Sequence, residues 1–290
     1  MDFFAQPFGI ILNYIYKFLA FGNYGLTIII FTVFVKLLLL PLTLKQQLST
    51  IKTQALQPEL DALKRSYGND NQALMQEQQK LYAKYNVNPM SGCLPTLIMF
   101  PVIILVYTII RSPLQYIGGL SKNVILQLQA VMTGVGFSSV TTADQLAINS
   151  YFLSDPAKRA QVSSLVGDHS FVNMSFLGLD LGKAPLEVFT NFSWSILPLV
   201  IIPILTLATQ YLLQWYSSPT RGKKKQKGGD PTSRSMNLMM KLMPLLTFGI
   251  AFTTPSGLGF YWTVSNLLSL LQTFLINTFL LKRNEKKEVV

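Results

Sequence analysis

Residues Tyr24–Leu44 constrain this chain more than any other stretch. They run apolar with little interruption, and about 20 such residues in a helix span the roughly 30 Å hydrocarbon core of a bilayer. Lys36 lies inside the run, among Phe34, Val35, Leu37 and Leu38. A lysine at mid-bilayer costs on the order of 3 kcal/mol unless water or protein surrounds it. Lys36 precedes Lys45 by nine residues, about 13 Å at ~1.5 Å per residue. Its stem can snorkel to the headgroups if the helix leaves the bilayer near Pro41. Against that stand Gly25, Thr32, Thr43 and Gln47, at 11, 4, 7 and 11 residues from Lys36, which share its helical face. A polar stripe along a membrane helix faces protein or water rather than lipid.

Half of the 290 residues are apolar and the formal net charge is +11. Long uncharged runs, rather than a soluble core, account for this composition. Five stretches read as spans, at 24–44, 94–110, 192–216, 238–253 and 258–281, giving an all-α membrane protein. The second and fourth are short enough to call for a thinned or locally hydrated bilayer. Seventeen Lys and Arg lie in the 45–93 and 217–237 loops, at Lys241 and in the 282–290 tail, against six on the other side. The excess predicts that the loops and C-terminus are cytoplasmic and the N-terminus is outside.

Residues 1–23 carry Asp2, Gln6, Asn13 and Lys17 on one face and aromatic and aliphatic side chains on the rest. That pattern predicts an amphipathic helix lying in the outer interface. A signal peptide is the rival reading, but Asp2 stands where a basic n-region belongs and no convincing A-x-A site follows. In 45–93, Leu48, Ile51, Leu56, Leu60 and Leu63, then Leu74, Leu81, Tyr82 and Tyr85, recur at helical spacing around Gly68–Asn69–Asp70. They predict a cytoplasmic helical hairpin whose first arm kinks or restarts at Pro58. The alternative is a plain solvated spacer. The 111–191 outer region is too long for a structureless loop, which predicts short helices. Residues 254–257, Thr-Pro-Ser-Gly, form a tight outer turn between the last two spans.

Cys93 and His169 are each the only residue of their type, so they form no disulfide framework or thiolate metal site within one chain. Neither a Walker nor a dinucleotide glycine motif occurs, so no cofactor is expected. The glycine-lysine run from Ser218 to Asp230 reads as a linker able to touch anionic lipid or RNA. Two further spans carry polar stripes. Thr206, Gln210, Gln214 and Ser217 share one face, and Gly259, Trp262, Asn266, Ser269, Thr273 and Asn277 share another. Helix–helix hydrogen bonding is the simplest account of one stripe. Three stripes, one of them charged, point to a shared hydrated cavity.

Several stretches resemble the YidC/Oxa-type membrane protein insertases. Lys36 with Leu40–Pro41–Leu42 and Lys45–Gln46 resembles the family's first core span. Gly92–Cys93–Leu94–Pro95 with Leu97, Ile98 and Pro101 resembles the start of the second. Met243–Pro244, then Pro255–Ser256–Gly257–Leu258 with Tyr261–Trp262 and Asn266, resembles the closing hairpin. The likeness covers nearly the whole chain and is nearest to the compact bacterial form. Where the family commonly has arginine, this chain has Lys36, so a planar five-donor fork becomes a point charge. The resemblance implies five helices around a hydrophilic groove open to cytoplasm and lipid. Candidate lining residues are Lys36, Thr32, Gln210, Gln214, Trp262 and Asn266. It also implies nascent membrane-protein substrates, membrane lipids, the ribosome and the Sec translocon as partners.

The expected activity is non-enzymatic insertion, with Lys36 attracting acidic substrate residues. Two rivals come from other classes. A secondary transporter or channel would use Lys36 as an anion site, but none of the five spans contains Asp or Glu. An enzyme using Lys36 as nucleophile or base would need an acidic or histidine orienter at the same depth, and the sequence offers none.

Overall fold

The structure is a computed structural model that describes residues 2–68, 70–87, 94–134, 136, 142–167, 171–190, 192, 194, 196–217 and 231–288. Cys93, His169 and the basic run at 218–230 lie outside them. Helix α1 (Asp2–Tyr14) runs into a π-helical turn (Ile15–Leu19), and α2 (Tyr24–Leu38) follows. Next come α3 (Leu40–Ala55), α4 (Gln57–Tyr67), α5 (Asn71–Lys84) and α6 (Leu94–Arg111). The outer region holds α7 (Pro113–Tyr116), α8 (Lys122–Thr133), α9 (Gln145–Leu153), α10 (Pro156–Gln161) and α11 (Ser163–Val166). Strands β1 (Ser175–Phe176) and β2 (Leu179–Asp180) and helix α12 (Glu187–Thr190) complete it. A 3-10 turn (Leu197–Val200) leads into α13 (Ile201–Ser217), then α14 (Pro231–Thr253) and α15 (Ser256–Glu288).

Where one straight span is expected over 24–44, the chain makes two helices, Tyr24–Leu38 and Leu40–Thr53, bent by 63°. Pro41 sits in the first turn of the second. Its ring cannot accept the preceding helical geometry and it has no N–H to give, so the axis breaks there. Among the described residues, Leu197–Ser217 is long and apolar enough by itself to cross a membrane, and the bent pair qualifies together. Pro101–Arg111 and Lys241–Thr253 are apolar but shorter. Helix α14 begins at Pro231, seven residues before the apolar stretch at 238–253.

The chain forms two units, and it passes between them inside helices α2, α6, α13, α14 and α15. The first comprises Met1–Phe34, Val102–Thr206 and Phe248–Val264. Its outer region has its own core of Leu114, Leu120, Ile125, Leu128, Ile148, Phe152, Val162 and Val166. Local caps set the helices that build it. Asp144 accepts from the N–H groups of Leu146 and Ala147, and Asp155 accepts from Ala157 with Pro156 following in the first turn. Such caps are worth about 1 kcal/mol each. Asn149, 2% exposed, donates to Val172 O at 2.8 Å and accepts from Val172 N at 2.8 Å. Tyr16 Oη accepts from Asn173 N at 3.0 Å. Burial raises its phenol above the usual range, and the Asn173 N–H opposes that shift.

Gly25, expected on the Lys36 face, has a steric role instead. A Cβ there would overlap the ring of Phe176. The Pro255–Ser256–Gly257 turn is bound from outside: Ser256 N and Oγ donate to Lys183 O at 2.8 and 2.7 Å, and Gly257 N donates to Leu181 O at 2.8 Å.

The second unit comprises Val35–Pro101, Leu207–Thr247 and Ser265–Val290. Its hairpin is α4 and α5, packed through Leu56, Leu60 and Val87 with Leu81 and Tyr82. Pro58 lies in the first turn of α4, where a missing N–H leaves no bond unmade. Gly68, at φ +53°, closes α4, and Asp70 caps α5 by accepting from Ala73 N at 3.1 Å.

Candidate functional site

Lys36 opens the site from inside the second unit. It is half-buried, and its Nζ donates to Ser269 Oγ on α15 at 2.6 Å. Past the bend, α3 pairs with the same helix, α15. Gln272 Nε2 donates to Thr43 Oγ1 at 2.5 Å, and Gln47 Nε2 donates to Thr273 Oγ1 at 2.8 Å. Thr273 in turn donates to Ser269 O at 2.8 Å, one turn back on its own helix. The charged stripe at Lys36, Thr43 and Gln47 therefore meets the stripe at Ser269 and Thr273. A lone ammonium beside hydroxyl and amide groups keeps its charge for an outside anion, because hydroxyls solvate it without neutralising it. No carboxylate among the described residues pairs with Lys36. Gln47 Oε1 is buried with no hydrogen-bond partner.

Further along the same unit, Gln210 Nε2 donates to Thr247 Oγ1 on α14 at 3.4 Å, and its Oε1 is buried without a partner. An acceptor left unbonded in a buried position is unfavourable by about 1–3 kcal/mol. Asn266 Nδ2 donates to Thr209 Oγ1 at 3.3 Å. Gln214 is half-buried one turn beyond Gln210.

Two candidates belong to the first unit. Thr32, 1% exposed, donates its hydroxyl to Ile28 O at 2.6 Å, so in this conformation it offers no free donor. Trp262 is half-buried. On the same helix, α15, Gly259 O and Thr263 Oγ1 each lie 2.9 Å from Thr206 Oγ1 of α13. Gly259 permits that approach, since a Cβ there would stand 3.0 Å from Ile202 Cγ2. Small residues let membrane helices close to this distance and exchange side-chain hydrogen bonds.

The structure thus brings Lys36, Gln210, Gln214 and Asn266 into one unit and places Thr32 and Trp262 in the other. Sequence reasoning did not identify Ser269 as the acceptor for Lys36, and it missed Gln272, Thr209 and Thr247 altogether. Helical period shows which residues share a face, but no local signal shows which faces meet.

Residues 14–284 match the model of the family described as 60Kd inner membrane protein. The chain is 27% identical over 275 residues to membrane protein insertase YidC of Fusobacterium nucleatum, covering 92% of this chain and 96% of that protein. It is 30% identical over 267 residues to membrane protein insertase YidC of Clostridium perfringens, covering 92% and 84%. To membrane protein insertase MisCA of Bacillus subtilis it is 28% identical over 288 residues, covering 98% and 81%.

Proposed function

The chain belongs to the 60Kd inner membrane protein family, the YidC/Oxa1 family, and from that premise we propose that it is a membrane protein insertase. It spans the bacterial cytoplasmic membrane five times, with the N-terminus outside and the C-terminus in the cytoplasm. Its substrates are membrane proteins with a short polar flank to move across. A hydrated groove lined by Lys36, Gln210, Gln214 and Asn266 shortens the low-dielectric path for that flank. Trp262 supplies a further substrate contact, and Thr32 supports the helix that carries Lys36. The basic 217–237 loop and the tail recruit the ribosome, and the hairpin admits substrate. Working beside the Sec translocon is consistent with the same role.

One observation carries the reading most directly: Lys36 Nζ rests on a hydroxyl, Ser269 Oγ at 2.6 Å, and not on a carboxylate. A charge pair at 4 Å gains about 4 kcal/mol at an effective dielectric near 20, before desolvation. Inserting one acidic residue costs roughly 3 kcal/mol, so a single cation of this kind offsets a single acidic residue in the flank. The substrate's apolar segment then enters lipid and the flank is released on the far side.

Liposomes containing the purified chain and a small single-span substrate with an acidic flank test this. Lys36→Arg is expected to keep insertion. Lys36→Ala is expected to slow it about tenfold, equal to about 1.4 kcal/mol, and Lys36→Glu to slow it further. A neutral-flank substrate should be far less affected. Full activity of Lys36→Glu on the acidic flank would remove the electrostatic role. Uptake of a small anion without insertion would establish the transporter instead.

A further inference from the structure

The uncharged run that contains α13 is longer than the helix. It extends from Val188 to Thr220, between Glu187 and Arg221. Residues 188–196 belong to this run but precede the 3-10 turn that starts at Leu197. They display three aromatic rings, with Phe189 75% exposed, Phe192 63% and Trp194 79%. Val188, Ile196 and Leu199 are buried, so the segment has an inner apolar side as well as an outer one.

The backbone that carries these rings is held within the first unit. Leu186 N donates to Phe252 O at 3.0 Å, at the end of α14, and the Phe189 and Phe252 rings lie 6.0 Å apart. Glu187 Oε1 accepts from Ala184 N at 2.8 Å, and Ile196 O accepts from Leu199 N at 2.9 Å. The Phe192 and Trp194 rings meet edge to face at 5.6 Å.

Two surroundings suit this segment badly. Bulk water gains nothing from three exposed rings in a stretch without a charge. The hydrocarbon core is unsuitable as well, because Phe192 and Trp194 lie outside helix and strand. Irregular backbone cannot satisfy its N–H and C=O groups in lipid. The headgroup zone meets both needs, since rings find apolar contact there while the backbone stays wet. Length agrees: Leu197–Ser217, 21 residues, covers about 30 Å, a full hydrocarbon core. The aromatic segment is then left just beyond that core. The start of α2 repeats the pattern. Phe21, three residues before Tyr24, is 87% exposed and held at φ +50°. Bulky residues rarely adopt that conformation, and it persists only where the surrounding fold imposes it.

We propose that Phe189, Phe192 and Trp194 anchor the chain in the headgroup zone of the lipid bilayer and set the depth at which α13 enters the membrane. The partner is the lipid surface and not a second copy of the chain. The inference rests on membrane residence, and it is independent of insertion and of Lys36.

Trp194 serves as its own reporter. Trp215→Phe with Trp262→Phe leaves it the only tryptophan. The purified chain is placed in phosphatidylcholine vesicles brominated either near the top of the acyl chain or near its end, and iodide is added on both sides in a parallel series. Shallow bromine is expected to quench Trp194 about twofold more than deep bromine, and iodide about threefold less than it quenches free tryptophan. Subtracting the Trp194→Phe signal from that of the parent chain gives the same quantity without the two other changes. Depth is read separately. Ile201 is exposed at the start of α13. In a Cys93→Ser background, Ile201→Cys should react with a water-soluble maleimide about threefold faster once Phe189, Phe192 and Trp194 are all serine. Tryptophan at all three positions should keep the parent rate. Neither readout involves insertion, so a failed insertase reading leaves both intact. Iodide quenching equal to that of free tryptophan, or stronger quenching by deep bromine, would overturn the proposal. So would an unchanged Ile201→Cys rate in the serine variant. Shielding from iodide without quenching by either lipid would overturn it too, and would point to a protein covering the rings.

Discussion

Ser269 is where the chemistry of single residues is most exposed to test. Its hydroxyl accepts from Lys36 at 2.6 Å, and its own carbonyl accepts from Thr273 at 2.8 Å. The ammonium is thereby held in one position while its charge stays uncompensated. A hydrogen bond to a charged group contributes about 1.5–3 kcal/mol, but water can replace part of it. Ser269→Ala is expected to slow insertion of an acidic-flank substrate about threefold to tenfold and leave a neutral flank unaffected. Ser269→Thr, which restores the hydroxyl, should recover the rate in the same liposome assay. Equal losses on both substrates would make Ser269 a packing residue only. Gly25 presents a steric case. A Cβ there would overlap the Phe176 ring, so Gly25→Ala should lower the unfolding midpoint by several degrees. Phe176→Ala in the same chain should relieve most of that loss. If the double variant falls by the sum of the two single losses, the close approach is not what Gly25 provides.

At the scale of elements, the outer region stands on polar contacts as much as on its apolar core. Asn149 bonds both the N–H and the carbonyl of Val172, which is itself fully buried. Replacing it with Leu leaves both backbone groups unpaired, at about 1–3 kcal/mol each. Asn149→Leu is expected to lower the unfolding midpoint strongly. Asn149→Asp should fall between, since it keeps the acceptor and loses the donor. A midpoint within about a degree of the parent chain for Asn149→Leu would mean the pairing adds nothing. Contacts of this kind explain why some elements could be read from sequence and others could not. Gly68 and Asp70 were singled out from sequence because turn chemistry is local, whereas the caps at Asp144 and Asp155 were not read, since only unplaced short helices were expected in 111–191. Pro58 was visible as a breaker, but Pro41 was read only as a place where the helix could leave the bilayer, and the 63° change of axis there was not legible. Asn149 and Val172 lie 23 residues apart, and Lys36 and Ser269 lie 233 apart. The stripes were legible because a helix repeats every ~3.6 residues; their pairing was not, because it is decided by which helices become neighbours.

For the whole molecule, the charge distribution makes the strongest demand. Seventeen of the 24 Lys and Arg fall in the two loops, at Lys241 and in the tail that follow alternate apolar helices. Retention of basic segments on the cytoplasmic side fixes orientation when the loops are short. In the orientation we propose, the hairpin lies on the side where nascent chains arrive. In the same proposed orientation the 111–191 region faces away from the cytosol. Function and topology therefore stand or fall together. Cys93 is the only cysteine, so Cys93→Ser gives a background for single reporters. Ser66 in the hairpin and Ser164 in α11 are both exposed. With a membrane-impermeant maleimide on cells whose outer surface is accessible, Ser164→Cys is expected to label at once, and Ser66→Cys only after the membrane is opened. The reverse order would place the basic hairpin outside. An acidic flank drawn towards Lys36 from the hairpin side would then be moving out of the wrong compartment, and the insertase mechanism would lose its direction along with its topology.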